Sequence, residues 1–332
     1  MSVAFVFPGQ GAQAVGMARD VYDASAAARA VFAQADAALG FAVSRLCFEG
    51  PDEVLTATEN AQPAILTASI ALLAALLERD QEAKGQGDKE PDNGSSLLFS
   101  PSPRLPVSPS YVAGHSLGEY TALVAAGALD LVTAVRLVRQ RGEFMAAATE
   151  GGMAAVIGMA ESPLEAICRE VSASDATVVI ANYNAPGQLV ISGATAAVER
   201  VGALAKANGA KRVLPLKVSA AFHSPLLQEA ADGLAPTIRD AAMGDAQVPV
   251  ISNVTAEPLT SAAAIRAELV AQVTAPVRWI ASVQRMAAMG VDTFVEIGPG
   301  SVLTGLIKRI VPDARLVNVN NVASVQSFAE VL

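Results

Sequence analysis

Short apolar runs alternate with long alanine-rich stretches along the chain, and this alternation constrains the fold more than any other feature. Val3–Phe7, Tyr111–Ala113, Val248–Ile251 and Thr293–Ile297 carry no charge except Glu296. A run this short and apolar reads as a strand buried on both faces, and helical segments between such strands favour parallel pairing. The expected fold class is therefore α/β, with a largely parallel sheet covered by helices. At 332 residues the chain has room for one large α/β domain and a second, smaller one. Hydrophobic residues make up 52% of it and aromatics only 5%, so the core must be built from Ala, Val, Leu and Ile.

Two segments depart from this pattern. Gln81 to Ser96 is charged and Gly-rich, and Ser100 to Ser110 carries four prolines, so residues 79–110 read as a flexible surface insertion. From Gly152 to Leu216 the order is strand Met153–Ile157, helix Pro163–Val171, strands Thr177–Ala181 and Leu189–Ser192, helix Thr195–Ala207 and strand Arg212–Leu216. The strands at the centre are joined through Asn184-Ala185-Pro186-Gly187. The order β-α-β-β-α-β is that of a ferredoxin-like unit. The expected division is a large domain from 1–148 and 222–332, with a small domain inserted at 149–221.

The most apolar segment, Ala64 to Leu77, opens after Pro63 and is interrupted by Thr67 and Ser69. It is shorter than the roughly 20 residues of a spanning helix, so a buried core helix and no membrane association are expected. Val3 to Phe7 runs directly into Pro8-Gly9, a strand meeting a turn rather than a secretory leader. The net charge of −9 opposes non-specific nucleic-acid binding. Cys47 and Cys168 fit no metal-ligand spacing and read as buried thiols in a reducing compartment, the cytoplasm.

Gly114-His115-Ser116-Leu117-Gly118 matches G-x-S-x-G, with a strand leading in and a helix, Glu119 to Ala126, leading out. That is the setting of a nucleophile elbow, where a tight turn exposes a serine hydroxyl beside a helix N-terminus. A serine needs a base, and the chain has only two histidines. His115 adjoins Ser116, and neighbouring side chains diverge on a sharp elbow. His223, in Ala221-Phe222-His223-Ser224-Pro225, is left as the candidate base. Acyl transfer also needs oxyanion donors. The backbone N–H of Leu117 is one candidate, and the turn Pro8-Gly9-Gln10-Gly11 offers a second.

Arg141 stands out on helical spacing. Over Leu131–Met145, Leu131, Ala134, Val138 and Met145 make one apolar stripe, with Arg136, Arg139, Gln140 and Glu143 opposite. Arg141 falls on the apolar side. Unless it snorkels past its stripe to water, it must meet an anion there, and a substrate carboxylate fits.

Phe7-Pro8-Gly9-Gln10-Gly11, the elbow through Glu119, Arg141-Gly142, Asn184-Ala185-Pro186-Gly187-Gln188, Phe222-His223-Ser224 and Glu296-Ile297-Gly298-Pro299-Gly300 occur in one order. Together they resemble the malonyl-CoA:acyl carrier protein transacylase family over nearly the whole chain. The exception is 79–110, which is longer than is usual there. The resemblance implies an α/β-hydrolase-like core and a malonyl transfer in fatty acid biosynthesis, from malonyl-CoA to acyl carrier protein. Ser116 would be the nucleophile, His223 its base, and the backbone N–H groups of Gln10 and Leu117 the oxyanion hole. The main-chain carbonyl of Gln272 would orient His223, Arg141 would bind the malonyl carboxylate, and Asn184, Phe222 and Asn253 would line the cavity. No cofactor and no metal are implied, and a monomer is expected. Lys211, Arg212, Lys308 and Arg309 are the candidate docking residues for coenzyme A or the acidic carrier. A polyketide carrier, a serine hydrolase or thioesterase built on the same elbow, and a non-catalytic scaffold remain alternatives.

Overall fold

The computed structural model describes residues 2–83, 108–172, 176–218 and 220–331. Among these, ten strands follow in chain order: β1 (Val3–Phe7), β2 (Tyr111–Gly114), β3 (Gly152–Ile157), β4 (Val178–Ala185), β5 (Gln188–Gly193), β6 (Arg212–Pro215), β7 (Val250–Ile251), β8 (Pro258–Leu259), β9 (Thr293–Ile297) and β10 (Arg315–Val319). One sheet has the order β10-β9-β1-β2-β7-β8. Its first four pairings are parallel and β7–β8 is antiparallel. All five residues of β1 and of β9 are buried, as strands covered on both faces must be.

The second sheet is antiparallel throughout, with the order β4-β5-β3-β6. Helices Glu161–Ser172 and Thr195–Ala207 complete a β-α-β-β-α-β order. Val156, Leu164, Ile180, Leu189, Ile191 and Val201 belong to a hydrophobic cluster of its own. Edge strand β4 joins this sheet to the rest of the chain. Tyr183 N–H donates to Val277 O at 2.9 Å and Val277 N–H to Ala181 O at 2.8 Å. For that reason β4 runs on to Ala185, and the link between β4 and β5 is a tighter turn at Pro186-Gly187 than the sequence suggests. Asn184 therefore sits on a strand.

The apolar segment is also longer than expected, a helix over Thr58–Ala83 with Pro63 inside it. A proline at 63 removes the N–H that would bond Glu59 O. Arg139 Nη1 donates to that carbonyl instead, at 3.1 Å, which lets the helix continue through the proline. Thr58–Asp80 is long and apolar enough to cross a membrane, but 94% of its apolar window is buried inside the protein. It is a core helix. Its continuation to Ala83 places the start of the 79–110 segment in helix, while residues 84–107 lie outside the described residues.

Two close backbone approaches set the geometry of the site. A Cβ on Gly114 would lie 1.9 Å from Gly118 C and O, and one on Gly118 would lie 2.1 Å from Phe7 O. Glycine at both ends is what lets the turn between β2 and helix Gly118–Ala125 fold this tightly onto the end of β1. At the crossing of helices Thr58–Ala83 and Leu131–Ala147, a Cβ on Gly142 would lie 2.6 Å from Glu59 Cα. That contact brings Gln62 into reach of Arg141.

Candidate active site

Ser116 occupies the turn after β2 with φ 52°, and His223 has φ 56°. Both lie in the left-handed region, which costs a non-glycine residue about 1–2 kcal/mol. The elbow is held by main-chain bonds, with His115 N–H on Phe7 O at 3.1 Å and Glu119 N–H on Ser116 O at 3.1 Å. Asn253 clamps it further. Its Oδ1 accepts Ser116 N–H at 2.7 Å and its Nδ2 donates to Gly114 O at 2.7 Å. Both ends of this amide are spent on the elbow backbone, so Asn253 supports the turn rather than offering a free group to a cavity.

Ser116 Oγ lies 2.7 Å from His223 Nε2 and 3.1 Å from Arg141 Nη2. His223 Nδ1 faces two carbonyl oxygens, Gln272 O at 2.9 Å and Ala275 O at 3.1 Å. Two acceptors require a proton on Nδ1, which leaves Nε2 bare to accept the serine hydroxyl. Among the described residues no carboxylate bonds the ring. Burial, then the charge of Arg141, lowers the His223 pKa from the ordinary 6.5 to about 3, so the ring is neutral at working pH.

Arg141 is 1% exposed, on the buried side of helix Leu131–Ala147 as its spacing requires. Nη1 donates to Gln62 Oε1 at 2.7 Å and Nη2 to Gln272 Oε1 at 3.0 Å. The guanidinium lies over the Tyr120 ring, 5.6 Å from its centroid. Among the described residues it has no ion-pair partner, and its Nε is without a hydrogen bond. Burial lowers its affinity for the proton, yet a guanidinium stays charged in proteins. A cation is thus held dry beside a nucleophile, with no ion pair to any described residue.

Gln272 joins these groups. Its Nε2 donates to Ser116 O at 2.9 Å and to Glu119 Oε2 at 2.5 Å, while its main chain holds His223. Glu119 Oε1 accepts Asn253 N–H at 3.2 Å. Burial pushes the Glu119 carboxyl well above its usual range, and the neighbouring Glu268 adds to this.

His115 turns away from the serine. Its Nε2 donates to Asn184 Oδ1 at 2.8 Å, and its ring packs edge-on to Trp279. Asn184 thereby ties β4 to the elbow. The Pro8–Gly11 turn abuts the elbow too, since a Cβ on Gly9 would lie 2.4 Å from His115 O. The Gln10 side chain bonds Thr58 Oγ1 at 3.0 Å. Among the described residues neither Gln10 N–H nor Leu117 N–H has a protein acceptor. Phe222 is buried next to His223. Arg309 reaches the β4–β5 turn, with Nη1 on Gln188 Oε1 at 2.8 Å. Gly187 O in that turn accepts Gly158 N–H at 2.8 Å, and the Lys211 side chain packs over Gly158. Lys211, followed by exposed Arg212, and Arg309 thus flank one corner. Lys308 instead folds onto Pro312 O at 2.6 Å.

The chain is similar to known proteins over most of its length. A family model described as acyl transferase domain matches residues 4–88 and 105–327. A malonyl CoA-acyl carrier protein transacylase of Bacillus subtilis is 45% identical over 311 residues, 93% of this chain and 90% of the relative. That of Escherichia coli strain K12 is also 45% identical, over 93% of this chain and 92% of the relative. The chain belongs to the malonyl CoA-acyl carrier protein transacylase family. An acyl carrier protein S-malonyltransferase of Vibrio cholerae superposes with TM-score 0.87 at 40% identity, covering 99% of this chain and 100% of that one. A malonyl-transacylase solved in complex with its type II PKS acyl-carrier protein does so with TM-score 0.87, at 40% identity over 99% of both chains. The family match leaves residues 89–104 between its two stretches, inside the segment that the sequence marks as an insertion.

Three groups of this transacylase site escape the sequence reading: Gln62, Glu119, and the side chain of Gln272. Gln62 had a signal, as the amide directly before the proline that opens the most apolar segment. Glu119 reads locally as an ordinary acid in a first helical turn, and nothing near it in sequence announces its burial.

Proposed function

We propose that this transacylase moves a malonyl group from malonyl-CoA to the phosphopantetheine thiol of acyl carrier protein, through an ester on Ser116, in fatty acid biosynthesis. The observation that carries it is the buried Arg141, without an ion pair among the described residues, in direct contact with Ser116 Oγ. The hydroxyl attacks the malonyl thioester as its proton passes to His223 Nε2. The tetrahedral oxyanion is met by the N–H groups of Gln10 and Leu117. The C–S bond breaks, and the imidazolium returns its proton to the departing thiolate of coenzyme A. The carrier thiol then gives its proton to His223 and attacks the serine ester; as the intermediate collapses, the ester C–O bond breaks and the imidazolium returns that proton to Ser116 Oγ. Throughout, the malonyl carboxylate pairs with Arg141, whose Nη2 no longer needs the serine hydroxyl once that oxygen is acylated. Gln62 holds Nη1 of the guanidinium and Gln272 holds Nη2, the nitrogen that also faces Ser116 Oγ.

The division into 1–148 plus 222–332 and 149–221 belongs to the same reading, supported by the separate cluster under the antiparallel sheet. Intact-mass measurement after mixing with malonyl-CoA tests the chemistry. A single malonyl adduct that discharges onto an added carrier is expected, from either a fatty acid or a polyketide system; steady release of free malonate instead marks a hydrolase.

Two further outcomes follow. His223 acts as a base only when neutral, and its proton affinity is depressed in the free enzyme. The acid limb of kcat/KM should therefore lie well below pH 6.5, with activity retained at pH 5. A limb near the ordinary value would show that the imidazole is not buried against Arg141 in solution. Stability moves in the same sense. Between 6.5 and about 3 the unfolded chain binds a proton that the folded chain refuses, so stability falls as pH drops through that window. Secondly, Lys211, Arg212 and Arg309 are the docking side for the acidic carrier or coenzyme A, with Lys308 the outlying member. Reversing charge at Lys211 and Arg212 should raise the KM for one of these by about fivefold, less at high salt. Unchanged constants would dispose of this surface.

A further inference from the structure

The two carboxyl oxygens of Glu119 receive two different arms of the site. Oε2 accepts the Gln272 side chain at 2.5 Å, and Oε1 accepts Asn253 N–H at 3.2 Å. The first arm continues from Gln272 Oε1 to Arg141 Nη2 at 3.0 Å, and the second from Asn253 Oδ1 to Ser116 N at 2.7 Å. We propose that Glu119 is a positioning residue that fixes Arg141 relative to Ser116 and so governs the preference for malonyl over acetyl groups. The proposal rests on the malonyl reading above and adds a residue to it.

The chemistry of the bridge explains why an acid stands there. An amide has one oxygen and one NH₂. Gln272 must turn its NH₂ toward Glu119 and the Ser116 carbonyl if its oxygen is to face the Arg141 guanidinium. Only a partner with two accepting oxygens allows this while also receiving Asn253 N–H. Glu119, Gln272 and Asn253 are each no more than 1% exposed, so water cannot make up a missing acceptor. Glu268 faces the same region, taking Val254 N–H at 3.0 Å and the Ser252 hydroxyl at 2.7 Å, and so steadies the loop that carries Asn253. Burial and the hydrogen-bonded neighbour Glu268 give Glu119 a high proton affinity, and a proton shared with Glu268 leaves lone pairs on Oε1 and Oε2 for Asn253 and Gln272.

Glu119→Gln keeps the size of the side chain but offers a single acceptor. The NH₂ it introduces must oppose either Asn253 N–H, which is fixed, or the Gln272 amide. Gln272 then turns over and presents its own NH₂ to the guanidinium. His223 keeps its main-chain carbonyls, so the nucleophile and base persist while the carboxylate anchor is displaced. The expected result is a fall of about 10- to 100-fold in kcat/KM for malonyl-CoA, carried by KM, and a smaller fall for acetyl-CoA, so that the malonyl-to-acetyl ratio drops. Gln272→Met cuts the bridge from its other end and should shift the malonyl-to-acetyl ratio likewise. The double variant should be no worse than either single one, because one bridge is lost once. Equal losses for both acyl groups, or additive losses in the double variant, would overturn the proposal. If Glu119→Gln does not fold, unaltered selectivity in Gln272→Met does so alone. Failure of the wild-type malonyl adduct would be a failure of the malonyl reading, seen before any variant is made.

Discussion

Ser116→Ala should form no malonyl adduct and lose at least about 10³-fold in kcat/KM, with the fold intact. The elbow does not depend on the hydroxyl. It is held by His115 N–H on Phe7 O, by Ser116 N–H on Asn253 Oδ1 and by the Gly114–Gly118 approach, none of which involves Oγ. The change leaves His223 Nε2 and Arg141 Nη2 each one partner short, about 1–2 kcal/mol in all and a fall in Tm of a few degrees. His223→Ala should cost nearly as much activity, because the hydroxyl then has no acceptor for its proton. Combining the two should add little, since the pair acts as a unit. Mass spectrometry with malonyl-CoA and calorimetry on the same samples check this. A malonyl adduct on Ser116→Ala would place the nucleophile elsewhere and end the mechanism.

Arg141→Ala should reverse the choice of substrate. In the native site a malonyl carboxylate gives a dry guanidinium its missing counter-ion, whereas an acetyl group leaves that cation unpaired. Losing the pair costs malonyl transfer about 2–5 kcal/mol, roughly 30-fold to several thousandfold, while acetyl transfer loses nothing and gains space. Arg141→Lys should restore only part of the loss. A single ammonium cannot hold Gln62, Gln272 and a carboxylate in one plane as the fork does. The same variant carries a second signature. The positive charge of Arg141 is the largest cause after burial of the depressed His223 pKa, so Arg141→Ala should move the acid limb of kcat/KM upward. Competition between malonyl- and acetyl-CoA, read by intact mass, gives the ratio. A ratio unmoved by the change would show that the carboxylate binds elsewhere.

The strands Val3–Phe7 and Thr293–Ile297 and the helix Thr195–Ala207 match their sequence reading residue for residue, because buried strands and amphipathic helices write their period into the chain. Where expectation and structure differ, a distant partner is the cause. Pro63 stays inside a helix because Arg139, far along the chain, takes the carbonyl it leaves free. β4 runs to Ala185 because the segment at Val277 pairs with it. Asn253, expected at a cavity wall, is consumed by the elbow backbone. Glu119 and Gln62 acquire their place only from helices that cross near them.

Residue type and spacing alone mark an elbow serine, a histidine able to serve it, and an arginine on the wrong side of its helix. The serine and the arginine are local signals, each read against the pattern around it, while the histidine follows from there being only one other, His115, beside the serine. Tertiary structure decides what local pattern cannot carry. It sets which oxygen faces Nδ1 of His223, that no carboxylate forms an ion pair with Arg141 among the described residues, and that Gln272 meets the base through its main-chain carbonyl while its side chain meets the cation and the main chain of Ser116. Hydrogen bonds depend on distances of tenths of an ångström between groups that here lie 49 to 156 residues apart, and only the packed fold fixes those.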